Sequence, residues 1–218
     1  MHPNERMAEE APAACGGPAP TGKTAAENAS GSMRCGMGYN TEQTGQYIAS
    51  DGVIALRPLT LEDSQLIVDW RNNPRVRSRY VNREPFTLEG QERYYHSRVA
   101  TGEVVQFVVC ESAGGRPIGC SVLDDIHPRY AEFGSWIGED DAIGKGYNAR
   151  IVRLTCRWAF RELGVDDIVC RIFTDNPASW RGCERGGFRI VGILPQVECS
   201  DGTKKDMYFL RMQEKDLG

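Results

Sequence analysis

The chain has 218 residues, 40% hydrophobic and 26% charged, with 26 Lys and Arg against 30 Asp and Glu. That size and balance fit one soluble globular domain plus an appendage, able to bury a core without disulfides or metals. The net charge of -4 gives no ground for binding nucleic acid or an anionic membrane non-specifically.

Residues 1–50 are rich in Ala, Gly, Pro, Glu and Thr, with no apolar periodicity. Such a segment cannot offset its ordering entropy by burial. A disordered leader is therefore expected over 1–50 and a single domain over 51–218, with Met33 and Met37 as conceivable internal starts. Val53 to Leu59 reads as a strand stopping at Pro58. Thr60, with Asp63 three residues on, resembles a helix N-cap. Leu66, Ile67 and Trp70 mark the apolar face of the helix that follows, and Asn72-Asn73-Pro74 ends it. A second helix is predicted from Thr87 through Tyr94 towards Val99.

Three strands follow, at Val104 to Glu111, Pro117 to Leu123 and Ala131 to Ile137, the first two joined by the Gly114-Gly115 turn. Ile143-Gly144-Lys145-Gly146-Tyr147-Asn148 is a glycine-rich loop opening an amphipathic helix, with Ile151, Val152, Thr155, Trp158, Ala159 and Leu163 on one face and Gly164 at its end. Then come a strand over Asp167 to Thr174, a helix with Pro177 in its first turn stopping at Gly186-Gly187, and strands at Phe188 to Ile193 and Met207 to Met212. The order predicts an α+β fold with a mixed sheet.

Of the eight cysteines, at 15, 35, 110, 120, 156, 170, 183 and 199, no two have close metal-ligand spacing. Cys110, Cys120, Cys156, Cys170 and Cys183 fall in predicted strands or helices, where cysteine acts as a small core hydrophobe. This reads as a reducing compartment. The chain start lacks a cationic region followed by an apolar stretch, and no run approaches the roughly 18 apolar residues of a membrane span. The expectations are a cytoplasmic location, no metal, no nucleic-acid partner and no membrane.

A glycine-rich loop entering a helix suits phosphate, because free N–H groups and the helix dipole both favour an anion. It follows a meander of strands rather than the first strand of a βαβ unit, and lacks the GK[ST] of a Walker loop. Four stretches together resemble the GNAT superfamily of N-acetyltransferases, over about Ile54 to Met212. They are Leu56-Arg57-Pro58-Leu59 with Glu62-Asp63; Ala131-Glu132-Phe133-Gly134 with Trp136-Ile137-Gly138; Gly144-Lys145-Gly146-Tyr147; and Asp175-Asn176, Ser179, Glu184-Arg185, Gly187-Phe188. The nearest branch holds ribosomal-protein N-terminal, spermidine and nucleotide-amino-sugar acetyltransferases. The resemblance implies a mostly antiparallel central sheet with flanking helices, and acetyl-CoA as cosubstrate with a small-molecule amine as acceptor. A homodimer is compatible with it. Two positions depart from the family loop: Ile143 stands where Gln or Arg is usual, and Asn148 where Gly or Ala is usual.

Acyl transfer from a thioester to an amine needs a proton acceptor for the amine, an N–H donor for the oxyanion and an acid for the leaving thiolate. The resemblance places Glu132 on the strand facing the cleft as the base, against the alternative of a salt-bridged surface residue; Asp124 and Asp125 are weaker candidates. Cys183 aligns with the family's acid position, or else is a packing residue, and Asn176 is expected to contact the pantetheine, to cap the next helix, or both. Gly144, Lys145, Gly146, Tyr147 and Asn148 would hold the pyrophosphate, with Arg150 and Arg153 adding charge or simply solvated, and the Ile137 backbone would face the thioester carbonyl. Trp70-Arg71-Asn72-Asn73-Pro74 with Val76-Arg77 resembles the first helix–loop of the nucleotide-amino-sugar branch; Arg71 and Arg77 would meet an anionic diphosphate, and Tyr80, Phe86 and Tyr94 would stack on a base or sugar. The alternative is a core tryptophan and surface arginines. His96 and His127 carry no assignment. The acceptor implied is an amino sugar or its nucleotide conjugate; a protein N-terminus and a non-catalytic acyl-CoA-binding role are the alternatives.

Overall fold

A computed structural model describes residues 46–217. The expected leader lies outside the described residues up to residue 45; its last residues do not conform to it, because Ala49–Ser50 form a short strand, β1, paired with Leu56 and Ala55. The strand Ile54–Pro58 is β2. The Thr60–Asp63 capping box forms, and Asp63 also receives Arg57 in a two-pronged ion pair at 2.7 and 2.8 Å. This anchors the turn that starts α1, Ser64–Asn72. A one-turn helix absent from the sequence prediction follows, α2, Pro74–Arg77: Pro74 supplies the fixed φ of a first helical residue, and the Asn73 side chain accepts the Arg75 N–H at 3.0 Å. Thr87 caps α3, Leu88–Tyr94, which continues as a π-helical turn over Tyr95–Val99.

The strands β3 (Val105–Glu111), β4 (Pro117–Asp124) and β5 (Tyr130–Ile137) form an antiparallel meander on β2. Helix α4, Tyr147–Leu163, crosses to β6, Asp167–Phe173, which runs parallel to β5. Helix α5, Pro177–Gly186, leads to β7, Arg189–Glu198, and β8, Lys204–Gln213. The eight-stranded order is β1-β2-β3-β4-β5-β6-β8-β7. β7 runs past its predicted end at Ile193, through Pro195, with two register shifts. Proline is tolerated there because β7 is the sheet edge and needs no second ladder.

The two faces of the sheet are covered differently. Against one, α4 and α5 pack Ile151, Val152 and Cys183 onto Ile54, Leu56, Phe107, Phe133, Ile168 and Leu210. Full burial of each large aliphatic side chain there contributes about 1.5–3 kcal/mol. Against the other, α1 packs Ile67 and Trp70 onto Val108, Cys110 and Cys120. The six described cysteines, Cys110, Cys120, Cys156, Cys170, Cys183 and Cys199, are all buried. Among the described residues no helix is long and apolar enough to cross a membrane.

Candidate active site

The parallel pair β5–β6 is bonded only from Tyr130/Asp167 to Glu132/Val169. Beyond that point β5 stays with β4 and β6 stays with β8, so the sheet splits. The Gly138 N–H bonds the Ile118 carbonyl at 2.9 Å. Antiparallel alternation then gives the backbone groups of 132, 134 and 136 to β4, and turns those of Phe133, Ser135 and Ile137 towards the space β6 has vacated. The resulting cleft, about 410 Å³, is lined among others by Tyr80, Phe133, Ile137, Tyr147, Asn176 and Cys183. Arg75 closes the end of β5: its Nη1 donates to the Ile137 carbonyl at 3.0 Å, its Nη2 to Gly138 at 2.9 Å and its Nε to Asp140 at 2.8 Å. Sequence reasoning missed Arg75 because it rides on α2, itself unpredicted; its place directly after Asn-Asn-Pro was the available signal.

The glycine-rich loop enters the same cleft. Gly144 and Gly146 have φ of 79° and 76°, left-handed values that glycine adopts without strain, and nothing stands within 4 Å of where their Cβ atoms would be. The first turn of α4 therefore presents its unpaired N–H groups and positive dipole end to the cleft. Ile143, Tyr147 and Asn148 line it as well. The Asn148 side-chain amide is bonded at both ends. Its Oδ1 accepts the Ser135 hydroxyl at 3.1 Å and its Nδ2 donates to the Ser179 carbonyl at 3.1 Å, tying β5 to α5 across the split. Gly182 makes room for it: a Cβ there would lie 2.2 Å from Asn148 Nδ2. Lys145 is not on the cleft wall; it pairs with Glu111 at 3.5 Å, beside the Tyr147 hydroxyl that donates to the same carboxylate at 3.0 Å. Arg150 pairs with Asp51 at 2.6 Å, and Arg153 donates to the Arg185 carbonyl.

Glu132 is 4% exposed at the apex of the split, beneath the cleft rather than on its wall. Both its oxygens receive Arg171, one at 3.0 Å from Nε and the other from Nη2, and Arg171 does line the cleft. Burial pushes the Glu132 carboxyl up to about 7, outweighing the opposite pull of Arg171, with Asp124 and Asp125 adding to the rise. Asp124 is buried and accepts Arg98 at 3.0 Å, whereas Asp125 is exposed and bonds His127 and Tyr130. Cys183 is 1% exposed and reaches the cleft from α5. Asn176 stands at the N-cap of α5 but makes no side-chain cap bond; its backbone carbonyl receives Ser179 and Trp180, leaving the amide on the cleft wall.

The expected acceptor residues separate. Trp70 is not in the cleft: it is buried under α1, its Nε1 donates to Glu139 at 2.7 Å, and its indole lies so close to Gly138 that a Cβ there would sit 2.2 Å from it. Tyr80 lines the cleft, edge-on to Trp136 with ring centres 6.1 Å apart. Arg71 is buried behind them, its guanidinium carbon 3.4 Å from the Tyr80 ring centre, 4.2 Å from Phe86 and 5.5 Å from Trp136. Arg77 is half-buried, off the cleft wall, and forms no ion pair among the described residues. Burial and the neighbouring Asp124 carboxylate hold the Tyr94 phenol well above its usual range.

Comparison with known proteins agrees with this architecture. The model of the acetyltransferase (GNAT) domain matches residues 54–189. An uncharacterized protein of Methanocaldococcus jannaschii is 26% identical over 152 residues, covering 69% of this chain but 30% of the relative, so the chain spans about a third of that protein's length. The L-methionine sulfoximine/L-methionine sulfone acetyltransferase of Pseudomonas paraeruginosa is 27% identical over 135 residues, 60% of this chain and 77% of the relative. Among solved structures, the spermidine N-acetyltransferase of Vibrio cholerae in complex with CoA and spermine superimposes with a TM-score of 0.70 at 24% identity, over 76% of this chain and 98% of that one. With the split sheet, the left-handed glycine loop and the matched domain in agreement, the chain belongs to the GNAT family of acetyltransferases.

Proposed function

We propose that this chain transfers an acetyl group from acetyl-CoA to the primary amine of a small molecule, an amino sugar or its nucleotide conjugate. The observation that carries the reading is the split between β5 and β6 opening beside the glycine-rich N-terminus of α4. One wall offers free strand backbone and the other a helix end, the two things an extended thioester with a pyrophosphate requires. Gly144, Gly146, Tyr147 and Asn148 hold the pyrophosphate through main-chain N–H groups, and Asn176 and Ile137 meet the pantetheine arm and the thioester carbonyl. Glu132, poised near neutrality, accepts the amine proton through water as nitrogen attacks the carbonyl carbon. As the C–S bond breaks, the Cys183 thiol protonates the departing sulfur.

The test is calorimetric titration of acetyl-CoA into the full chain, followed by thiol release on addition of amines. Micromolar binding and amine-dependent release of CoA are the expected results. Absence of acetyl-CoA binding refutes the reading.

A further inference from the structure

Arg171 takes both oxygens of Glu132. A carboxylate in a two-pronged guanidinium grip is ordinarily a poor proton acceptor, because the cation favours its charged form. A Glu132 that accepts the amine proton therefore needs a group that opposes Arg171, and the fold supplies one on the next strand. In the register of β4 and β5, Asp124 stands directly opposite Glu132. Both side chains thus leave the same face of the sheet, with Cβ atoms about 4.5–5.5 Å apart. Each residue is buried, at 4% exposure, so little solvent screens one carboxylate from the other.

The two carboxylates are held differently. Asp124 Oδ1 accepts Arg98 Nη2 at 3.0 Å and the Asp125 N–H at 2.7 Å. Its Oδ2 is buried and accepts nothing among the described residues. A buried acceptor left open is costly. Glu132, once it carries a proton, becomes an O–H donor on the same sheet face. The other charged or titratable groups around the pair come from every element packed there. Arg171 reaches Glu132 from β6, and Arg98 reaches Asp124 from the turn after α3. Tyr94 of α3 lies beside Asp124, with Arg71 of α1 near the same phenol. Asp125 adds negative charge beyond Asp124, its oxygens engaged by His127 and Tyr130.

We propose that Asp124 is a positioning residue for acetyl transfer: facing Glu132 across the strand pair, it counteracts Arg171 and gives the proton taken from the amine a second carboxylate to bond. This rests on the acetyl-transfer reading and deepens it. As the amine nitrogen attacks, its N–H bond breaks and the proton passes through water to a Glu132 oxygen. The new O–H donates to Asp124 Oδ2. After the acetylated product leaves, water in the cleft takes the proton back and Glu132 returns to its charged form.

Carbon-13 NMR of the full chain with labelled glutamate carboxyls follows Glu132 directly, with Glu132→Gln identifying its signal and no acetyl-CoA present. Asp124→Asn keeps the shape and removes the charge, so the Glu132 midpoint should fall by about one pH unit or more. Arg98→Met leaves Asp124 charged without its counter-ion, so the midpoint should rise. The rising limb of kcat against pH should move in the same two directions. Both substitutions break one ion pair, and loss of structure alone does not shift Glu132 in opposite senses. Either variant decides if the other does not fold. A midpoint that stays in place, or one that moves the same way in both variants, overturns the proposal. So does a midpoint that moves while the kcat limb stays, which would leave Asp124 a structural partner of Arg98. Failure of acetyl-CoA to bind refutes the transfer reading, and the NMR midpoints then still decide whether Asp124 sets the proton affinity of Glu132.

Discussion

Substituting Gly182 by alanine puts a methyl group 2.2 Å from the amide nitrogen of Asn148 and 2.9 Å from its Cγ. Ordinary contact begins near 3.4 Å, so the amide must retreat by about 1 Å. It cannot do so freely, because its two ends are fixed at 3.1 Å to Ser135 and 3.1 Å to Ser179. Losing those bonds costs about 1 kcal/mol each, and the forced repacking adds about 1–3 kcal/mol. Gly182→Ala should therefore destabilise the chain by about 3–5 kcal/mol and weaken acetyl-CoA binding, because Ser135 belongs to the cleft wall. Asn148→Ala alone should cost about 2 kcal/mol from the two lost bonds. In the double variant the amide is gone and the two bonds are lost only once, so its cost should fall short of the sum by about 3 kcal/mol. Urea unfolding of the four proteins measures this cycle. Additivity within about 0.3–0.5 kcal/mol would show that Gly182 is not small for the sake of Asn148, and would remove the strut from the account of the cleft.

Glu132, raised from 4.5 to about 7 by burial, is protonated below that pH and becomes an acceptor above it. Acetyl transfer should rise with pH through about 7, and Glu132→Gln should flatten that limb of the kcat profile; an unchanged limb assigns it to another group. Arg75→Met removes two bonds to the carbonyls that end β5, so kcat should fall at least about tenfold, with a smaller change in the KM for acetyl-CoA; equal kcat would mean that β5 holds its end unaided.

Much of this molecule was legible before any coordinates. The Thr60–Asp63 cap, the Gly114-Gly115 turn, the helix between Tyr147 and Gly164 and the alternation in Asp167 to Phe173 are local signals, each written in residues that touch one another along the chain. The order of these elements sufficed for the mixed sheet, and the glycine loop sufficed to locate the helix end that opens on the cleft. The extra turn of α2 was not visible, because four residues are too short to show a period of 3.6.

Partners distant in sequence were decided only by the tertiary structure. Asn148 departs from the small residue usual in its loop, and nothing nearby in the chain says that its amide turns inward to Ser135 and Ser179 over a glycine at 182. Trp70 and Arg71 are neighbours, yet one helix step sends the first into the core against Gly138 and the second into a cage of Tyr80, Phe86 and Trp136. Glu132 sat in a strand correctly read, but whether its carboxylate met solvent, substrate or Arg171 depended on β6 lying parallel beside it for three residues and then leaving. Local pattern determines which residues share a face; burial and charge at the site depend on which faces meet, and that is settled by packing over the whole sheet.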